Sequence, residues 1–180
     1  KSSWYIRTTA VKDRLISGNR EINWYPDYIK DGRFGEWLAN NVDWAISRER
    51  YWGTPLPIWH CDSCDAHHCI GSIAELKEMA IPEHLDIAEQ LDLHRPSVDQ
   101  VAIRCPNCQK SMRRVPEVLD AWFDSGAMPF AQYHVTSPED VARLAEGGRL
   151  PADYICEAVD QTRGWFYSLH ALSTLLTNNP

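Results

Sequence analysis

The chain has 180 residues, a formal net charge of −7, 44% hydrophobic residues, eight tryptophans, seven tyrosines and six cysteines. That length fits one domain or one and a half, and the acidic balance argues against non-specific nucleic-acid binding by this segment alone. No apolar run approaches a membrane span and no basic-then-apolar leader is visible, so no membrane is expected, and two Cys-x-x-Cys pairs point to a metal in a reducing cytoplasm rather than to disulfides.

In chain order, Trp4-Tyr5-Ile6-Arg7 alternates loosely and reads as a strand. Thr8 or Thr9 is placed to cap a short helix through Leu15, closed by Gly18-Asn19. Ile22 to Pro26 is aromatic and ends in proline, so it is extended or turning. Gly32 to Asn40 reads as a short helix with Phe34, Trp37 and Leu38 on one side. The next stretch sets Arg48 and Arg50 among Trp44, Tyr51 and Trp52. It suits a phosphate or nucleotide contact surface, or equally arginines stacked on indoles in a solvated face. Gly53 permits a tight turn after it.

Leu56 to Trp59 reads as an edge strand leading into the first cysteine pair. Residues 72–91 carry two short amphipathic helical patterns separated by Ile81-Pro82. Val115 to Leu119 reads as a short strand, and Asp120 to Gly126 as a loop after it. Ser137-Pro138-Glu139-Asp140 combines a cap, a first-turn proline and an acidic first turn, so a helix starts there. It runs to about Glu146 and stops at Gly147-Gly148.

Cys61, Cys64, Cys105 and Cys108 form two knuckles, each able to turn both sulfurs toward one point. Four thiolates suit a tetrahedral structural zinc with no open position for water, so no chemistry is expected there. Cys69, His60, His67 and His68 crowd the first knuckle as substitute ligands and rank lower, because their spacing is not paired. The long stretch between the knuckles must hold a subdomain of its own.

Tyr154 to Val159 is a short, mostly apolar run that reads as a buried strand, with Cys156 as a small buried hydrophobe. From Gln161 to Leu176 the apolar residues Trp165, Leu169, Leu172 and Leu176 recur at helical spacing. Asp160 and Gln161 fall at the hinge between strand and helix, where ligands of open α/β sheets bind. With Glu157 they suit a ribose or an ammonium group. The competing reading is an acidic helix start in which Asp160 only caps. Ser125, His134 and His170 read as structural, and no phosphate-binding glycine loop or hydrolase elbow is present.

Ile46 to Gly53, Trp122-Phe123-Asp124-Ser125-Gly126 and Asp160-Gln161-Thr162-Arg163-Gly164-Trp165-Phe166 together resemble the isoleucyl-tRNA synthetase family, among the class I aminoacyl-tRNA synthetases. Their order and spacing resemble it too, as do linking segments such as Ser3 to Thr9. The valyl and leucyl enzymes share the Arg-Tyr-Trp-Gly stretch more loosely. The resemblance implies an α/β fold, part of a Rossmann-like parallel sheet with an inserted zinc-ribbon subdomain. It divides the chain into a core segment following the editing insertion (residues 1–55), a zinc-binding insertion (56–115) and the second half of the core (116–180).

The same resemblance implies that isoleucine and ATP, with Mg2+, give isoleucyl-adenylate, from which the acyl group passes to tRNA(Ile). Glu157, Asp160 and Gln161 would contact the adenylate, and Trp122 and Trp165 would wall the amino acid pocket. An apolar pocket separates isoleucine from valine by about 1–3 kcal/mol, which is why the family also edits. Ala158 stands where the family often has glycine, adding a methyl where backbone would approach the adenylate. The family's His-Ile-Gly-His and Lys-Met-Ser-Lys-Ser signatures are not among these residues, so none is expected to be catalytic and the chain alone is expected not to activate isoleucine without the remainder of the synthetase. The alternatives are a free-standing zinc-ribbon binding module and a valyl- or leucyl-type core.

Overall fold

Tyr5–Ile6 forms strand β1, paired antiparallel with β2, Trp44–Ala45, so that Ile6 faces Trp44. The computed structural model describes residues 3–89 and 92–177. Readings placed on Lys1, Ser2, Gln90, Leu91 and Asn178 to Pro180 therefore lie outside the described residues. The chain divides into two units, one made of Lys1–Ile46 with Ala121–Pro180, the other of Ser47–Asp120. These limits differ from the 55/56 and 115/116 divisions drawn on the sequence.

In the first unit a short 3-10 turn, Thr8–Val11, leads into helix α1, Lys12–Glu21. Neither threonine caps it. Thr9 gives its amide and hydroxyl to Asp43, and Thr8 donates to the Val42 carbonyl at 3.0 Å. Nor does Gly18-Asn19 stop the helix, because the buried Asn19 side chain bridges the Lys30 carbonyl and the Trp24 indole, at 2.9 and 2.8 Å. Helix α2, Gly35–Ala39, follows a widened turn at Lys30–Phe34. Leu15, Ile29, Phe34, Leu38, Tyr167 and Ala171 make the core, with Trp24, Trp37, Trp44 and Phe166 packed against it.

The second unit starts with β3, Ser47–Arg48, and then β4, Ile58–His60, β5, His67–Cys69, α3, Ile73–Met79, and α4, Leu85–Glu89. Strands β6, Ile103–Arg104, β7, Ser111–Arg114, and β8, Val118–Leu119, complete it. The four-stranded sheet has the order β5-β4-β7-β6, and β3 pairs with β8. So β4 is an inner strand rather than an edge. Pro57 lies just before it, and its carbonyl still accepts the Ile70 amide at 2.9 Å, so the missing N–H interrupts nothing. Trp59, Ile70, Leu76, Val98, Val101, Ile103 and Met112 fill the core together with Cys61 and Cys105. Gly53 has φ +146 and lies against Val118, where a Cβ would sit 3.0 Å from a valine methyl.

The first unit resumes with α5, Ala121–Ala131, α6, Pro138–Glu146, and α7, Trp165–Thr177. Asp120 to Gly126 is thus not a loop: from Ala121 on it is the first turns of α5, which packs closely on α7. A Cβ on Gly126 would lie 2.9 Å from the backbone of Ser168, so this glycine serves the helix crossing. Helix α6 carries the expected cap, and Asp140 returns the bond so that Ser137 and Asp140 form a capping box. All strand pairs among the described residues are antiparallel. Tyr154 to Ala158 joins no strand pair among the described residues, and Tyr154 is 73% exposed. The run expected as a buried strand has no neighbour to bond, so Cys156 is exposed rather than buried.

Candidate functional site

Two matching backbone knuckles build the cysteine cluster. In the first, the Asp65 amide donates to the Cys61 carbonyl at 2.9 Å and the Cys61 amide to Ala66 at 2.9 Å. In the second, Gln109 donates to Cys105 at 2.9 Å and Cys105 to Lys110 at 2.8 Å. Asp65 and Gln109 occupy equivalent positions and both have positive φ, 58 and 64. Each knuckle thus reverses the chain tightly and points two sulfurs inward. Strands β4 and β7 bring the knuckles together, with Sγ–Sγ distances of 3.5 Å for Cys61–Cys108 and 3.6 Å for Cys64–Cys105.

All four sulfurs lie within 4.8 Å of one another, and no cysteine is in a disulfide. A tetrahedral ion with sulfurs at about 2.3 Å needs sulfurs about 3.8 Å apart, close to the spacing of this cage. The charge state fits as well. The Cys108 and Asn107 amides hold the Cys105 thiol down at about 7 against the burial that opposes them. The Ala66 amide pulls Cys64 the same way, yet burial and the neighbouring sulfurs push that thiol up to about 12. Crowded thiols cannot all ionise unless a cation neutralises them. Cys69 is exposed and stands apart from the cage, and His68 is paired to Glu75 at 2.9 Å.

The second group of expected site residues surrounds the 3-10 turn Val159–Arg163 at the start of α7. Asp160 does not cap that helix. The capping role falls to Gln161, whose Oε1 accepts the Trp165 amide at 3.0 Å, while its Nε2 donates to Asp160 Oδ2 at 3.0 Å. Trp165 Nε1 donates to the Ser125 carbonyl of α5 at 3.3 Å. Trp122, from the same helix, is 44% exposed. Gly164 sits where these groups meet. A Cβ there would fall 2.8 Å from Gln161 Oε1 and 3.1 Å from the Trp122 ring. Trp122, Gln161 and Trp165 therefore share one locality, with Asp160 bonded into it. Glu157 is exposed just before the turn.

Two further residues hold this turn, and the sequence reading missed both. Thr162, 1% exposed, donates to the Val159 carbonyl at 2.7 Å and accepts from Arg33 Nε at 2.9 Å. Arg163 lies over the Trp37 ring, 5.2 Å from its centroid. The partners are more than a hundred positions apart in sequence, so no local pattern carries either pairing.

A family model described as tRNA synthetases class I (I, L, M and V) matches residues 1–180. The chain belongs to this family, with the class I catalytic-domain fold. Among its relatives, the isoleucine–tRNA ligase of Dehalococcoides mccartyi is 62% identical over 180 residues, all of this chain and 18% of that protein. The isoleucine–tRNA ligase of Clostridium tetani is 52% identical over 179 residues, 99% of this chain and 16% of that protein. The chain thus spans less than a fifth of the curated relatives it matches. The LeuRS of Agrobacterium radiobacter, solved as a ternary complex with tRNA and LeuAMS, aligns over 86% of this chain and 20% of its own, with a TM-score of 0.51 and 18% identity. That likeness concerns the fold alone.

Proposed function

We propose that the chain is part of the catalytic domain of an isoleucine–tRNA ligase, and that its turn at Val159–Arg163 helps bind the aminoacyl-adenylate. The gathering of Trp122, Gln161 and Trp165 around the bare Cα of Gly164 supports this reading most directly. In the whole enzyme the carboxylate of isoleucine attacks the α-phosphorus of ATP and pyrophosphate leaves. The acyl carbon then passes from AMP to a terminal hydroxyl of tRNA(Ile). This chain binds and orients rather than moving protons. The indoles of Trp122 and Trp165 bury the branched side chain. Asp160 and Glu157 accept from hydroxyl or ammonium donors, and Gln161 fixes the Asp160 carboxylate through its amide nitrogen.

Mg2+ bound with ATP supplies charge neutralisation at the phosphates, which the remainder of the synthetase completes. Cys61, Cys64, Cys105 and Cys108 hold a structural zinc. Segment 154–158 becomes a strand of the Rossmann-like parallel sheet once its neighbours in the whole protein are present; its apolar residues Ile155 and Cys156 are exposed and free to be covered there. Residues 1–55 and 116–180 are then core segments flanking a zinc-binding insertion at 56–115, in a cytoplasmic enzyme. The test is isoleucine-dependent ATP–pyrophosphate exchange by the full-length protein, with leucine and valine as comparisons. Exchange that prefers isoleucine and falls at least about tenfold in Trp122→Ala supports the reading; preference for another amino acid refutes it.

A further inference from the structure

Beyond the cysteine cage, the hairpin that carries the first knuckle gathers a second set of metal-binding side chains. Strands β4 and β5 pair in a register that sets His60 directly opposite His67. Side chains at directly opposed positions of an antiparallel pair share a face with Cβ atoms only a few ångströms apart. The two imidazoles stack, with centroids 4.6 Å apart and planes 24° from parallel. Asp65 sits in the reversal between the strands, its positive φ of 58 imposed by the knuckle. Its Oδ1 lies 2.8 Å from His60 Nε2. One ligand atom from each of His60, Asp65 and His67 falls within 4.8 Å of the others.

We infer that His60, Asp65 and His67 form a second divalent-metal site, separate in chemistry from the four thiolates. Two imidazole nitrogens and one carboxylate oxygen suit Zn2+, Co2+ or Ni2+ rather than Mg2+ or Ca2+, which take oxygen ligands. The outer shell has the expected form too. The other ring nitrogen of His60, Nδ1, faces Asp62 Oδ1 at 3.4 Å, the carboxylate-behind-histidine arrangement that orients a ligating imidazole. The ion would replace the hydrogen between His60 Nε2 and Asp65, so it needs no new approach of those two groups. The Asp65 side chain is 91% exposed, so the remaining coordination positions take solvent, and the ion is exchangeable and held more weakly than in the closed cage. Because the turn after β4 also carries Cys61 and Cys64, occupancy stiffens the first knuckle. The inference rests on the hairpin alone and is independent of the enzymatic reading.

The test titrates Co2+ into the full-length protein, free of any affinity tag and with zinc already in the cage. Binding is followed by calorimetry and by visible absorption. One further ion should bind with weak visible bands that lack sulfur-to-cobalt charge transfer. Its affinity should fall at least about tenfold in His67→Ala and in Asp65→Asn. Zinc content at the cage should be unchanged in both variants, which separates loss of the site from loss of the fold. A titration that shows no further ion would overturn the inference. So would binding that both variants retain, or binding that carries a thiolate charge-transfer band.

Discussion

Gly164 shows how much one absent methyl can govern. An alanine there would drive its Cβ against both the Gln161 carboxamide and the Trp122 ring. Gly164→Ala should cost about 1–3 kcal/mol of stability as an overpacking change, measured by denaturant unfolding. In the full-length enzyme it should also raise KM for isoleucine, because the carboxamide that caps α7 and holds Asp160 is displaced. Gln109 presents the opposite case. It pays for a left-handed φ of 64 that the second knuckle demands. Gln109→Gly should stabilise the chain by about 1 kcal/mol, seen as a higher thermal midpoint with the metal content unchanged. Neither conformation is legible in the sequence. The cysteine spacing was, since a Cys-x-x-Cys knuckle closes within itself. The hinge sequence offers Asp160 as a cap, but that role falls one residue along, to Gln161. Both are polar residues at the same hinge, and only the path of the backbone distinguishes them.

Among the elements, the 159–163 turn is held from a distance. Thr162 is a hydroxyl joint between its own turn and Arg33. Thr162→Val should raise KM for isoleucine and ATP several-fold in the full-length enzyme with a smaller change in kcat. Thr162→Ser, which keeps the hydroxyl, should restore most of it. Equal behaviour of the two variants would show that the joint does not position the site. Helix α7 carries a pH dependence as well. His170 Nε2 donates to the Leu15 carbonyl at 2.8 Å, and burial pushes its pKa below the ordinary 6.5. The unfolded chain therefore binds the proton more readily. Stability from the neutral ring is fully present above pH 6.5 and is lost as pH falls through the depressed folded value. Urea midpoints at pH 7.5 and 5.5 should differ less in His170→Gln than in the parent. Helix α6 was legible because its cap, proline, acidic turn and glycine stop are all local. Helix α5 was not, because Asp120 to Gly126 looks like a loop until α7 covers it. The 154–158 segment failed in the other direction: apolar composition marks a strand, but only a partner strand makes one.

For the whole molecule, the two units depend on different terms. The first is held by aromatic packing around Phe34, Leu38 and Tyr167, the second by a small core closed with the cysteine cage. Removing metal with a chelator should therefore lower the unfolding midpoint of Ser47–Asp120 far more than that of the rest, resolved by hydrogen exchange along the chain. No helix of the described residues is long and apolar enough to cross a membrane. Many apolar side chains nonetheless stay in solvent, among them Tyr25, Tyr28, Tyr154 and Leu176. In a piece spanning 18% of a relative, such residues are where further chain would pack. The cage itself has a mechanical consequence. Cys64 and Cys105 stand 41 positions apart, and an ion held between them would clasp the ends of everything in between. A protease that severs that stretch once would leave a nicked chain whose halves still travel together, and they would part only when the clasp is opened.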